Sequence, residues 1–470
     1  MRSRTTVAAL VLTALASAVT VKPASAGGYG PLPPVNPYTA ATGTATMHGD
    51  TANSDTTPYA GTGASPVTAS RTALQSACPT VTTGSDGLLV ALCTRIFGRN
   101  PVVFLLDPAD GDRLATLDLP QGSLFGGVYA YLDHENRLVT VDPEGNLLRI
   151  AHRRSPGGAW ELRVDSTVPL GTAARGGVVG LSPDWRGNIW FATPSGTVGV
   201  LSPDGGVHTL AMPSGETVAN SLSTVPDQTA VTTSHALYAL HAGPDGVPRI
   251  QWRRAYDRGT ARKPGQLSWG TGSTPVYFGP RDGTDYIAIT DNADDEENLV
   301  VRRRDGSEVC TVPVVDGTED AVIATGRSVF VTSTYGYPYP ALPDDAGASR
   351  PSSAPFAGGL ARVDIDADGG GCRIVWRSET KSAALPRLSV ADGRIYTITV
   401  TGPTGSAAGM NTFAAYHYAV LDSSTGETLR SRYLGTGLLC NPLQMTGTTT
   451  ADGTFWQGTL TGVVAVRRTS

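Results

Sequence analysis

The sequence predicts an all-β fold, a β-propeller of eight blades with seven as the alternative, and three observations carry that reading. From Cys78 onward, short alternating apolar runs are separated by Gly, Asp and Pro turns, and no ten-residue window keeps a helical period. A unit then recurs: a strand, a turn, a second strand, Leu-x-x-x-Asp-x-x-x-Gly and a last strand. It is visible in "DGLLVAL…VVFLLDPADGDRLATL" (86–117), "GNIWFATPSGTVGVLSPDGGVHTL" (187–210) and "GRIYTITV…YAVLDSSTGETLRSRYL" (393–434). The units start near residues 79, 124, 176, 218, 270, 319, 385 and 442. That spacing of about 40 to 65 residues suits one four-stranded blade with its loops.

The elements follow in order. Residues 1–26 read as an export signal, with Arg2 and Arg4 at the start, the short apolar core "VAALVLTALASAV" and "ASA" at the cleavage position. Residues 27–75 are rich in Gly, Pro, Thr, Ser and Ala and read as an extended arm or linker. Residues 76–470 form the propeller. Its last unit, "DGTFWQGTLTGVVAVRR" (452–468), lacks an outer strand. The arm is the segment able to supply that strand and close the ring, which would otherwise expose sheet edges.

The full chain carries a formal net charge of −5, and loss of Arg2, Arg4 and Lys22 with the signal leaves −5 − 3 = −8. A mildly acidic chain is no nucleic-acid binder, and no later apolar run is long enough for a membrane span. The expected localisation is secreted or extracellular, as a monomer. Five cysteines in an exported chain imply two disulfides and one leftover thiol. Cys78 with Cys93, across a hairpin, is the first pair. Cys310 with Cys372, at similar places in successive units, is the second, which leaves Cys440 as a buried thiol.

The pattern Gly-x-x-Tyr…Leu-x-Asp-x-x-Thr-Gly resembles quinoprotein-type (PQQ-like) propeller repeats. The stretches "MHGDTANSDT", "LSPDWRGNIWFAT", "ARKPGQLSWGTGSTP", "YIAITDNAD" and "GTFWQGTLTGVVAVR" make the chain from about residue 47 similar to a family of exported bacterial propeller proteins. That resemblance implies a fold and no reaction. The chain departs from it at "ADDEEN", where family members carry Pro and fewer acids. "GNIWFAT" alone resembles propeller lyases of the streptogramin type.

In a propeller the loops between second and third strands share one face with the links between blades. The long insertions all fall there: 258–272, "TDNADDEEN" (290–298), 335–359 and 401–412. Loops gathered on one rim suggest a recognition surface. Asp291 and Asn292 follow directly on the apolar strand "YIAIT" and face that rim, and Asp291 with Asp294 is the pair suited to calcium. Asp294 to Glu297, at the tip, read as a solvated charge cluster. "DIDADGGG" (364–371) has calcium-loop spacing, but Val375 stands where the closing Glu would be, and a tight turn explains it equally. Lys263, Trp269, Tyr335 and Tyr337 join the candidate ligand contacts, the aromatics suiting sugar or peptide stacking. His48, with Asp50 and Asp55, lies in the arm, where it reaches the channel if the arm crosses the ring.

These residues support a secreted binding or scaffold protein that recognises a glycan, peptide or small molecule on the loop-rich face of blades five to seven. The rival is a secreted enzyme with its site at the channel mouth. It is either a lyase or hydrolase joining His48 to Asp291 and Asn292, or, less favoured, a PQQ-dependent dehydrogenase. No cofactor is firmly implied: calcium stays open, and PQQ is disfavoured because no quinone pocket or adjacent cysteine pair exists.

Overall fold

A computed structural model describes residues 29–121, 128–343, 345–403 and 413–469. The expected export signal and most of the 401–412 loop lie outside them. The chain forms eight four-stranded sheets, one with a short fifth strand, in sequence order around a ring. Each is a meander of antiparallel strands with the first strand innermost. Blade one begins at Ser76–Thr83, and the inner strands of blades two to eight are Tyr131–Leu132, Gly180–Pro183, Leu222–Val225, Val276–Phe278, Ile323–Thr325, Arg387–Ser389 and Thr448–Thr449.

The apolar runs explain this packing. Inner and middle strands are buried on both faces, as in Pro101–Leu106, whereas outer strands such as Trp160–Pro169 alternate toward solvent. The core lies between neighbouring blades: Trp190 and Val198 of blade three meet Leu222 and Tyr238 of blade four.

Blade eight is composite. The arm strand Val67–Ala73 pairs antiparallel with Gly462–Arg468 from Val67↔Arg468 to Ala73↔Gly462, as the truncated last unit implied. The rest of the arm does more than span a gap. Asn36 donates to the Pro183 carbonyl (2.8 Å) and Thr39 bridges to Asp133, which places this part under the ring. The arm then threads the channel. Its carbonyls at Thr44, Ala45, Thr51, Ala52, Ser54 and Asp55 accept from Thr83, Leu132, Thr224, Tyr277, Ala324 and Leu388, at 2.7–3.2 Å. Six inner strands thus find on the arm the partners that an open channel would deny their backbone. Thr, Ser, Ala and Gly suit this work because small side chains let the arm lie against several strands at once.

Cys78 is joined to Cys93 inside blade one, and Cys310 to Cys372, as the sequence suggested. The second bond ties the outer strands Glu308–Val315 and Cys372–Ser378 of adjacent blades. Cys440 is buried and unpaired. No helix of the described residues is long and apolar enough to cross a membrane.

Candidate functional site

The acid-rich turn of blade five grows out of Tyr286–Thr290, whose Ile287, Ala288 and Ile289 are fully buried. Asp291 turns the chain. Its carboxylate accepts from the Ala293 amide (3.1 Å), the Asn298 amide (2.7 Å) and the Asn298 side chain (2.7 Å). Burial raises its pKa against those bonds. Asn292, fully buried, donates to the carbonyls of Arg258 (2.7 Å) and Ala261 (3.0 Å). Asp294 is exposed and caps Thr260 through its amide (2.7 Å) and hydroxyl (2.9 Å), which lowers its pKa.

The tip acids therefore divide. Asp294 and Asp295 are exposed, and Glu296 pairs with Arg377 of blade six at 2.7 Å. Glu297 is fully buried, which corrects its reading as part of a solvated cluster. Its side chain points back under the turn, where Gln266 (2.8 Å) and the Thr318 amide (2.9 Å) donate to it and the Lys263 ammonium lies 3.9 Å away. Burial pushes its carboxyl pKa well up, with Lys263 opposing.

The linker 256–275 is sewn to this turn. The Gln266 amide donates to Asn292 (2.8 Å) and Glu297, and its oxygen accepts from the Lys263 amide (2.7 Å). The Lys263 ammonium donates to the carbonyls of Asp295 and Asp316, both at 2.7 Å. Gly265 crosses the blade-six loop so closely that a Cβ would stand 1.9 Å from the Thr334 carbonyl oxygen, and its φ of +86° also demands glycine. Trp269 remains at the surface, stacked under the Arg258 guanidinium at 4.0 Å. Tyr335 is half-buried, whereas Tyr337 is buried, donates to Asn441 and packs edge-on against Phe356.

At the axis a cavity of about 70 Å³ opens above the arm, with Met47 and His48 as its floor. Its wall carries Asn220, Glu319, Asp320 and Gln444 from the links entering blades four, six and eight. His48 is buried and its Nδ1 donates to Asp55 at 2.7 Å, and its Nε2 has no partner among the described residues. Glu319 accepts from the Leu267 amide (2.7 Å) and Asn220 (2.8 Å), and Tyr129 donates to Asn220 at 2.7 Å. Burial pushes the Glu319 pKa up to about 7 despite those bonds, and pushes Asp320 well above the carboxylate range. Arg387, buried beside the arm, donates to the carbonyls of Gly447 (2.7 Å), Met47 (2.7 Å) and Thr56 (3.2 Å), 3.8 Å from Asp55.

The structure thus gathers Asp291, Asn292 and Lys263 in one loop-binding network, and places Trp269 and Tyr335 on the rim. His48 is in the channel and belongs to a different network from Asp291. No group of three or more His, Cys, Asp or Glu is arranged to hold a metal among the described residues. The wall acids Glu319 and Asp320 were missed by sequence reasoning. Their signal was "TED" immediately before the apolar run "AVIAT", two acids at the lip of an inner strand.

No family model matches this chain. An "Uncharacterized protein" of Archaeoglobus fulgidus is 27% identical over 324 residues, which is 59% of this chain, and the match spans 60% of that protein's length. Among solved structures, virginiamycin B lyase from Staphylococcus aureus has a TM-score of 0.41 at 10% identity, covering 85% of this chain and 99% of its own. BamB from Moraxella catarrhalis scores 0.37 at 13% identity over 71% and 94% of the two chains, and the Dos1 propeller 0.48 at 10% over 86% and 94%.

Proposed function

We propose that this chain is an exported binding or scaffold protein whose loop-rich face holds a basic, extended segment of another polypeptide. The carrying observation is where exposed apolar side chains lie. Outside the outer strands, Ile96, Phe97, Trp269, Leu342, Phe413 and Leu439 all sit on loops of that face, and only Val35 sits on the opposite one, among the described residues. Phe97 is 85%, Phe413 77% and Leu439 56% exposed. Apolar groups collected on one rim mark a contact surface, and aromatic anchors dominate such contacts.

Charge supports a basic partner. An open depression beside the blade-five turn is lined by Asp257, Asp294, Asp295 and Glu296. In this reading Trp269 and Tyr335 contact the ligand directly, and Asp291, Asn292, Lys263 and Tyr337 act by holding the loops that present it. A surface fixed by buried hydrogen bonds loses little entropy on binding. The apolar signal core at the N-terminus and the two disulfides support export to an oxidising compartment.

The test is selection of a displayed random-peptide library on the immobilised protein. Enriched peptides should be rich in Lys or Arg and aromatics. They should fail on a Phe97→Ser, Trp269→Ser, Leu439→Ser variant while still binding an Ile250→Ser variant of the outer wall. Failure to enrich, or equal binding to both variants, contradicts the proposal.

A further inference from the structure

Three buried side-chain atoms on the axial cavity wall have no hydrogen-bond partner among the described residues: His48 Nε2, Asp320 Oδ2 and Gln444 Oε1. Gln444 Oε1 accepts, Asp320 Oδ2 accepts when ionised, and His48 Nε2 accepts in the tautomer that carries its hydrogen on Nδ1. His48 gives its Nδ1 hydrogen to Asp55, and Gln444 spends its amide on the Ser382 carbonyl at 2.9 Å. Unmet buried acceptors carry a desolvation cost, so three around one space define what would relieve it: a group with several donors and no need to accept. Two carboxyl groups, Glu319 and Asp320, stand on the same wall, and a cation entering between them would favour their ionised forms, so that group is also a cation. Val128, Leu267, Ala321, Leu385 and Met445 give the remaining wall an apolar part, beside Thr274, Thr446, Tyr129 and Tyr339.

A compact cation with three donors on an apolar stem is a primary alkylammonium. We infer that the axial cavity receives such a group, carried on a lysine side chain of the polypeptide docked on the loop-rich face. This rests on the docking reading above. The stem lies against the apolar wall while the ammonium reaches His48 Nε2, Asp320 Oδ2 and Gln444 Oε1. The cavity's 70 Å³ is several times what one water requires, and suits a chain of a few heavy atoms. Guanidinium, planar with five donors, brings more donors than the three unmet atoms can take, and a metal ion would require a ligand cluster that these residues do not form.

The experiment titrates the full mature protein at pH 8 by ligand-observed NMR with n-butylammonium, 1-butanol, N-acetyl-lysine N-methylamide and its Nε-acetyl derivative. Butylammonium and the lysine amide should bind and compete with each other, and the two neutral probes should not bind. Asp320→Asn should weaken the charged probes by at least about thirtyfold. That variant replaces a buried carboxyl by an uncharged side chain of the same shape, so it should fold, and a melt at least as high as the parent's checks this. Binding of butylammonium but not the lysine amide overturns the lysine assignment in favour of a free amine. No binding of either, equal binding of 1-butanol, or unchanged affinity in Asp320→Asn overturns the site. Selected peptides that bind the rim without any loss on lysine acetylation leave docking standing and refute the cavity. Amine binding without any enriched peptide does the reverse.

Discussion

Replacing Glu319 by Gln should make the protein more stable at pH 8 and slightly less stable near pH 4.5. Burial raises this carboxyl from its ordinary 4.5 to about 7, with Leu267 and Asn220 donating to it. A raised folded-state pKa means the folded chain holds the proton more tightly than the unfolded one. The resulting stabilisation is complete below about 4.5 and is lost as pH rises through about 7. The gap between those two values corresponds to about 3 kcal/mol. Gln cannot ionise, so it escapes that loss, but it gives up one acceptor facing the Asn220 amide, about 1 kcal/mol. The variant should thus gain about 2 kcal/mol at pH 8 and lose about 1 near pH 4.5. Asp320 and Glu297 are also pushed up by burial and tilt the parent's own curve the same way. The informative quantity is therefore the difference between parent and variant. Urea unfolding at pH 4.5, 6 and 8, with disulfides intact, measures it. A difference that stays flat, or that falls with pH, would refute the argument.

Other perturbations test the frame around the site. Gln266→Leu strips partners from Asn292, Glu297 and the Lys263 amide, and should cost about 3 kcal/mol or more. Hydrogen exchange should show the amides of 258–272 and 291–298 opening together, and independent opening would contradict their coupling. Cys310→Ser with Cys372→Ser frees a 62-residue separation and should lower stability by about 4 kcal/mol in denaturant unfolding. A chain starting after Ala73 loses the outer strand of blade eight and the channel filling. It should run as oligomers or aggregates in size-exclusion chromatography, and a monomer with an unchanged melt would show that closure is dispensable.

The blades were legible because each has its own local code, a period-two apolar pattern closed by Asp-Gly turns, and the missing last strand of 452–468 pointed to its donor. The path of residues 36–57 was not legible. Small polar residues carry no periodic signal, and their role is set by carbonyls meeting six separate inner strands. Asp291 and Asn292 drew attention because they follow directly on an apolar strand toward the rim; both are buried, and their hydrogen bonds tie the turn to Asn298 and to the 258–261 linker. Glu297 was misread because four acids in a row look solvated from composition alone. Only the return of the strand places one of them under the linker, against Gln266 and Lys263. Glu319 and Asp320 gather with His48 from positions far apart in sequence, so no local pattern announces their shared cavity.

The most direct measurement of the central claim is the affinity of one selected peptide for three proteins: the parent, the Phe97→Ser, Trp269→Ser, Leu439→Ser variant, and the Ile250→Ser variant. Loss of aromatic and apolar anchors predicts binding at least about thirtyfold weaker for the triple variant. The outer-wall variant should match the parent. Equal affinity for all three proteins would place the peptide elsewhere and contradict the loop-rich face as the binding surface.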